Sequence, residues 1–209
     1  MSPRVSEDHK ENRREQILSA AARCFAAKGY SATTMQGILQ ESGLSAGAVY
    51  LYFKSKLDIY MALMERNLEA DLRRYEEAAG GSGTWLDRLR RLMSLYMADF
   101  ADGRQAEFVR LYLLEFLPAS TQNPVLADAL RRRNVRLKAL FAQVLQAGVT
   151  SGQFRPLDCD AVAALILAAG DGVRLHAITT GSLADAGAMF RTFLSNLEVI
   201  VWGQIRSDS

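Results

Sequence analysis

Cysteine and histidine are each present only twice in this 209-residue chain, as Cys24, Cys159, His9 and His176. Neither cysteine belongs to a CxxC pair or a Cys/His cluster, so a disulfide framework and a zinc site have no raw material. The two histidines stand far apart in sequence, which leaves no assembled metal or Ser/His/Asp site. No cofactor motif is present, and no enzyme activity is expected. Long hydrophobic runs are missing too: the wholly apolar stretch Ala161 to Gly170 stops at Asp171, about half of the roughly 20 residues a membrane span requires. The opening "MSPRVSEDHKENRREQ" has no apolar core, so neither secretion nor membrane insertion is expected and the chain reads as cytoplasmic. Proline is scarce, at four, and strands with sustained period-two alternation are absent.

What the chain does have is helical periodicity, with 49% hydrophobic residues recurring at spacings of three and four. The expected fold is all-α. A first helix runs from about Glu11 to Lys28 with Ile17, Ala21, Cys24 and Phe25 on one face and Gly29 as a left-handed stop. Thr33 or Thr34 caps a second helix ending at Gly43, and Ser45 caps a third that reaches Tyr52. Ser55 with Asp58 forms a capping box for a long fourth helix, whose inner face is Tyr60, Leu63, Met64, Leu68, Leu72 and Tyr75. "GGSG" at 80–83 is the one linker-like stretch. Thr84 with Asp87 repeats the box, and the stripe Trp85, Leu89, Leu92, Met93, Tyr96, Phe100 follows.

"EFVRLYLLEFL" is apolar nearly all round and is expected to be enclosed on every side and ended by Pro118. Asn123–Pro124 starts the next helix, then come helices from about Asp160 to Thr180 and from Ser182 onward. The last helix carries Met189, Phe190, Phe193, Leu194, Leu197, Ile200, Val201, Trp202 and Ile205. That set covers too much circumference for one interface, so a second copy of the chain is expected against it.

Charge is unevenly placed. Residues 1–56 hold eight Lys/Arg against five Asp/Glu, whereas the remainder holds 17 against 18. The excess sits with "SAGAVYLYFKSK", Ser45 to Lys56. Two short helices joined by a glycine-bearing turn and braced by a longer helix describe a helix-turn-helix that enters the DNA major groove. Ala46, Gly47 and Ala48 let the backbone approach base edges, where Ser45 hydrogen-bonds and an alanine touches a thymine methyl. Tyr50, Tyr52 and Lys56 reach phosphate oxygens. Val49 and Phe53 turn inward. A small-residue helix followed by aromatics is also compatible with plain core packing.

From about Arg13 to Leu57, the elements "ILSAA", "F..KGY..TTM..I" and "SGLSAG.VY.YFKSK", with their spacings, closely resemble the N-terminal domain of the tetracycline-repressor (TetR) family of bacterial transcription regulators. The resemblance implies that Thr33 and Thr34 are cap residues that hold phosphate, that Ser45, Ala46, Gly47 and Ala48 read bases, and that Tyr50, Tyr52 and Lys56 grip the DNA backbone. Gln36, Leu51 and Lys54 join them on the DNA-facing set. Gly37, Ala46 and Leu51 depart from the family's commoner acidic, charged and polar residues, which bears on the operator sequence and not on the DNA-binding role. The implied organisation is residues 1–54 as arm and helix-turn-helix domain, a linking helix at about 55 to 79, and 80–209 as a helical ligand-binding and dimerisation domain. The implied function is a homodimeric repressor released from a palindromic operator on double-stranded DNA by a small hydrophobic or amphipathic effector. The alternative is a helical carrier of hydrophobic molecules without operator binding.

For the effector cavity the candidates are Trp85, Leu89, Tyr96, Phe100, Phe108, Tyr112 and Phe116, with Arg110, Glu115, Asp171 and Arg174 as orienting polar groups. Ordinary core packing is the rival reading of each aromatic, and intrahelical pairing of Arg110 with Glu107 and of Arg174 with Asp171 that of the charges. Gly170 and Gly172 permit close helix approach at a dimer interface, with Phe193, Leu197 and Val201 beside them. Arg133 interrupts the stripe Leu126, Leu130, Leu137, Leu140, Val144. It either binds an anionic ligand or snorkels to water.

Overall fold

The computed structural model describes residues 7–98, 110 and 112–202. Among these residues every regular element is helical. The elements are α1 (Glu7–Ala32), α2 (Met35–Ser42), α3 (Ala46–Tyr52), α4 (Lys56–Gly80), α5 (Trp85–Ala98), a π-helical turn π1 (Tyr112–Phe116), α6 (Leu117–Ser120), α7 (Pro124–Thr150), α8 (Cys159–Thr180) and α9 (Leu183–Trp202). The chain divides into two compact units, residues 1–69 and 70–209, with the division inside α4.

In the first unit the caps follow the sequence signals. The Thr34 side chain accepts from Gly37 N–H at 3.0 Å, the Ser45 hydroxyl accepts from Ala48 N–H at 3.3 Å, and Gly43 adopts φ 67°, the left-handed stop of α2. α1 begins earlier than expected, at Glu7, and its helical geometry breaks where expected, at Gly29 (φ 75°, ψ 168°), beyond which one further turn reaches Ala32. The Ser55–Asp58 box is offset by one: Ser55 Oγ accepts Asp58 N–H at 3.0 Å, but the Asp58 carboxylate takes the N–H of Lys54. Ile17, Leu18, Ala21, Phe25, Ile38, Val49, Phe53, Ile59 and Tyr60 are buried together as the core of this unit. Phe25, Tyr30 and Tyr60 form a ring triangle with centroids 5.5–6.0 Å apart.

In the second unit α7 packs against α5 and α8, and α8 against α9. Thr84 and Asp87 exchange reciprocal bonds at the start of α5, Thr84 N–H to the carboxylate at 3.0 Å and Asp87 N–H to the hydroxyl at 3.1 Å. That hydrogen bonding holds the Asp87 carboxyl below its ordinary pKa. Asn123 caps α7 by accepting from the N–H groups of Val125 and Leu126. Pro118 does not end its helix as expected. It lies in the first turn of α6, where a missing N–H costs no intrahelical bond, and α6 continues to Ser120. Enclosure of this segment is also incomplete, because Leu114 and Leu117 are exposed.

α8 has the length and hydropathy of a membrane span. It is nevertheless a packed helix, carrying Asp171 and Arg174 and burying Ala163, Ile166, Leu167, Val173 and Ala177 within the second unit. The loop after α7 folds back so that Arg155 donates its backbone N–H to Val201 O at 2.9 Å and its Nε to Ile200 O at 2.6 Å, satisfying carbonyls at the end of α9.

Gly148 in α7 lies under the buried ring of Phe154, which occupies the space a Cβ would need. Although alanine is the better helix former by about 1 kcal/mol, the steric conflict dominates. Gly148→Ala is expected to lower stability by about 1–3 kcal/mol. Thermal denaturation checks this, and Phe154→Leu in the same chain should recover part of the loss.

Candidate functional site

α3 is short, and its sides are sharply divided. Val49 and Phe53 are buried, while Ser45, Ala46, Gly47, Tyr50 and Leu51 are exposed and Ala48 and Tyr52 are partly so. Leu51 is the extreme at 74% exposure, and Tyr50 stands at 41%. The outward face therefore consists of a slim leading end followed by an aromatic hydroxyl and a large aliphatic group. Lys54 is exposed at the following turn, its ammonium donating to Tyr50 O at 2.7 Å. Gln36 and the cap Thr34 are exposed on α2. A face of this size and composition suits a nucleotide edge flanked by phosphate contacts.

Two residues expected on that face have different work. Thr33 is buried, with its hydroxyl 2.7 Å from Gly29 O and 3.1 Å from Cys24 O. It closes the broken end of α1 and has no surface left for a phosphate. Lys56 turns its ammonium back onto the same end, donating to Tyr30 O at 2.6 Å and Thr33 O at 2.7 Å, with Ser31 O at 3.4 Å. It also stands 4.2 Å from the Tyr30 ring centroid. A cation against unsatisfied helix-end carbonyls is favourable for both charge and hydrogen bonding. Lys56 thus ties the start of α4 to the end of α1. Its sequence position gave no sign of this, because the interaction spans about 26 residues.

In the second unit four of the expected polar and aromatic residues meet. Tyr96 of α5 directs its hydroxyl to Oδ1 of Asp171 and Tyr112 of π1 directs its own to Oδ2, each at 3.4 Å. Arg174, one turn along α8, donates Nη1 to Asp171 at 3.2 Å and Nη2 to the Tyr96 carbonyl, with its guanidinium 3.9 Å from the Tyr96 ring centroid. Tyr96 packs edge-on to Phe141 at 5.6 Å and to Tyr75 at 6.3 Å. Burial raises the pKa of both tyrosines, and the Asp171 charge acts in the same direction. Both are therefore neutral hydroxyl donors near neutral pH.

Arg133 joins the cluster, its guanidinium carbon 4.5 Å from the centroid of the Tyr112 ring. Between the two readings of that residue, the structure shows the side chain stacked on an aromatic face of the cluster.

The other cavity candidates separate from this group. Trp85 is half-exposed at the first turn of α5 beside Arg88, about 16 Å along the helix from Tyr96. Leu89 and Phe116 are buried core residues, and Glu115 is half-exposed on π1. Phe100 and Phe108 lie outside the described residues, as does Glu107, the expected partner of Arg110. An apolar cleft does adjoin Tyr96, but Met93, Met97, Ile166, Val173 and Phe193 line it, and its free volume is about 10 Å³. That is space for about one water molecule, so an effector entering there must move side chains. Met93 and Met97 are the adaptable ones.

The expected dimer residues also need correction. Gly170 is buried, and a Cβ there would meet the Tyr96 ring of the same chain at 2.5 Å. Leu197 and Val201 are buried within the protomer, and Phe193 faces the Tyr96 cleft. Only Gly172 of the five is exposed, on an α8 face with Ala164, Leu165, Ala168 and Leu175. On α9 the exposed large apolar residues are Met189, Val199 and Trp202.

Comparison with known proteins bears on both units. Residues 17–63 match the family described as "Bacterial regulatory proteins, tetR family", and residues 85–200 match "BetI-type transcriptional repressor, C-terminal". The chain is 31% identical over 181 residues to the HTH-type transcriptional regulator YfiR of Bacillus subtilis, covering 85% of this chain and 86% of that one. It is 32% identical over 154 residues to the HTH-type transcriptional repressor KstR2 of Mycolicibacterium smegmatis, covering 72% of each. Among solved structures, a putative regulator from Saccharomonospora viridis in complex with choline superposes with a TM-score of 0.77 at 25% identity, over 90% of this chain and 96% of the other. FadR of Bacillus subtilis in complex with stearoyl-CoA gives 0.76 at 23% identity, over 91% and 99%, and shares the fold. With a helix-turn-helix head whose slim face is exposed and relatives aligned along most of its length, the chain belongs to the TetR family of transcriptional regulators and is a DNA-binding regulator, not an enzyme.

Proposed function

We propose that the protein is a cytoplasmic, homodimeric repressor that binds a palindromic operator through α3 and is released by a small hydrophobic or amphipathic effector bound in the second unit. The observation that carries the reading is the exposure of Ser45, Ala46, Gly47, Tyr50 and Leu51 on a helix whose opposite side is buried. In a twofold dimer two such helices enter successive major grooves about 34 to 36 Å apart. With Ala46, Ala48 and Leu51 outward and few long polar donors, base choice rests on thymine methyl contacts and DNA shape as well as hydrogen bonds. The relatives give the carrier alternative no support.

The dimer face is the exposed side of α8 and α9: Ala164, Leu165, Ala168, Gly172 and Leu175 with Val199 and Trp202. Small residues at helical spacing let two copies of α8 approach closely. α4 contributes to both units as one helix and is the proposed lever, with 80–209 as the effector and dimerisation domain. An effector that binds the two lever positions unequally changes the separation of the reading heads, and one that binds them equally changes nothing.

Footprinting on the DNA beside the protein's own gene tests the reading directly. A protected inverted repeat is expected, with affinity falling steeply as salt rises. Absence of a protected repeat, or salt-independent binding, contradicts it. Tyr50→Phe removes one phosphate contact and should weaken binding about three- to tenfold on every sequence alike. Ala48→Trp should instead abolish or redirect base preference.

Leu165→Glu places a charge in the proposed dimer face. Sedimentation should show a monomer, with operator affinity lost in parallel. Lys56→Met removes the tie to the α1 carbonyls and is expected to lower the melting temperature as well as operator affinity, because it costs about 1–3 kcal/mol of head-domain stability. A variant with unchanged melting but weakened binding would return Lys56 to a phosphate role.

A further inference from the structure

The cluster around Asp171 is unbalanced in both charge and hydrogen-bonding capacity. It presents two tyrosine hydroxyls and two guanidiniums, those of Arg133 and Arg174, around a single carboxylate. Arg174 is only 4% exposed, yet its Nε is buried with no hydrogen-bond partner among the described residues. A buried donor left in that state is costly, the more so for a charged group. Asp171 is already engaged by Arg174, and its contacts to the two hydroxyls are long, at 3.4 Å each. Arg133 lies on the stripe of α7 that otherwise buries Leu126, Leu130, Leu137 and Leu140. It hydrogen-bonds the neighbouring Asn134 at 3.2 Å and has no ion pair with a carboxylate among the described residues. Among the described residues, donors in this cluster therefore exceed acceptors, and one positive charge is left over.

A cationic headgroup is disfavoured by the same geometry. The faces of Tyr96 and Tyr112 that would receive an ammonium are already covered by Arg174 and Arg133. Asp171, the carboxylate among the described residues of the cluster that would neutralise it, is paired. An incoming cation would have to break that pair and would still face Arg133. An anion meets the reverse situation: a guanidinium held in place by an aromatic ring, neutral hydroxyls able to rotate their protons outward, and a buried N–H lacking an acceptor.

Resting on the reading of the second unit as an effector domain, we propose that this cluster is the effector's headgroup subsite and that the effector is an amphipath ending in a carboxylate-sized anion. Arg133 anchors the anion by a charge-assisted hydrogen bond, and Tyr112 and Arg174 complete its coordination. The apolar body lies in the adjoining cleft beside Tyr96, between Met93, Met97 and Phe193, which opens by repacking of the methionines. An uncharged or cationic analogue of the same shape leaves the donors unpaired and is rejected, the asymmetry expected of a site built to hydrogen-bond its ligand.

Three probes with one tail decide it: decanoate, decanol and decyltrimethylammonium, each titrated into the full-length protein by calorimetry below its micelle concentration. Decanoate is expected to bind at least about tenfold more tightly than either analogue, and Arg133→Gln to reduce that preference to about threefold or less. Arg133→Lys should retain part of the preference, since it keeps the charge and loses the planar fork. Tighter binding of decyltrimethylammonium, equal binding of all three, or no binding of decanoate up to millimolar concentration would overturn the proposal. If Arg133→Gln does not fold, the wild-type comparison decides alone. Operator binding by the wild-type protein without any probe is measured alongside. Its loss would count against the regulator reading, whereas intact operator binding with no anion preference counts against the headgroup assignment only.

Discussion

Everything the DNA-binding head presents depends on two buried side chains. A helix as short as α3 does not persist in water by itself, because nucleation cost outweighs the few bonds it closes. Val49 and Phe53 hold it against the rest of the first unit, each contributing about 1.5–3 kcal/mol of apolar burial. By occupying the inner side they dictate which residues face outward, at 46, 47, 50 and 51. The frame behind them is set by longer-range ties. Gln16 Nε2 donates to Ser42 O at 2.8 Å, Arg66 pairs with Glu15 at 2.9 Å, and Lys56 joins the start of α4 to the end of α1. The reading face is thus a consequence of packing beneath it.

The second unit uses a different device. Its core is built from apolar stripes on α5, α7, α8 and α9, but at one place it admits a carboxylate, two guanidiniums and two phenols. Gly170 is what makes that arrangement fit, since any side chain there would strike the Tyr96 ring. Paired and stacked, these groups escape much of the desolvation penalty of burial, yet the pairing is incomplete at Arg174. A structural salt bridge alone would not call for a second arginine on an apolar stripe, and this surplus is why the cluster reads as a recognition site.

Local rules made much of the architecture legible in advance. The caps at Thr34, Ser45, Thr84 and Asn123, the left-handed stop at Gly43, and the inward turn of Val49 and Phe53 all follow from short-range chemistry and periodicity. Failures cluster where distant segments meet. Thr33 and Lys56 looked like phosphate ligands because nothing nearby shows that the broken end of α1 requires donors. Leu197 and Val201 looked like interface residues because a helix apolar on two sides does not reveal which side its own domain takes. Tyr96, Tyr112, Asp171 and Arg174 stand out in the sequence only one by one, and their convergence on one carboxylate joins α5, π1 and α8 across long sequence separations that no periodicity encodes. Trp85, a similar aromatic on the same helix as Tyr96, falls elsewhere through axial distance.

The central claim is that the outer face of α3 is the surface that meets DNA. Amide hydrogen exchange of the protein with and without its operator tests it most directly. The account predicts operator-dependent protection concentrated at residues 45–52 and at the start of α2. Unchanged exchange at 45–52 on operator binding, with protection appearing only in the second unit, would contradict it.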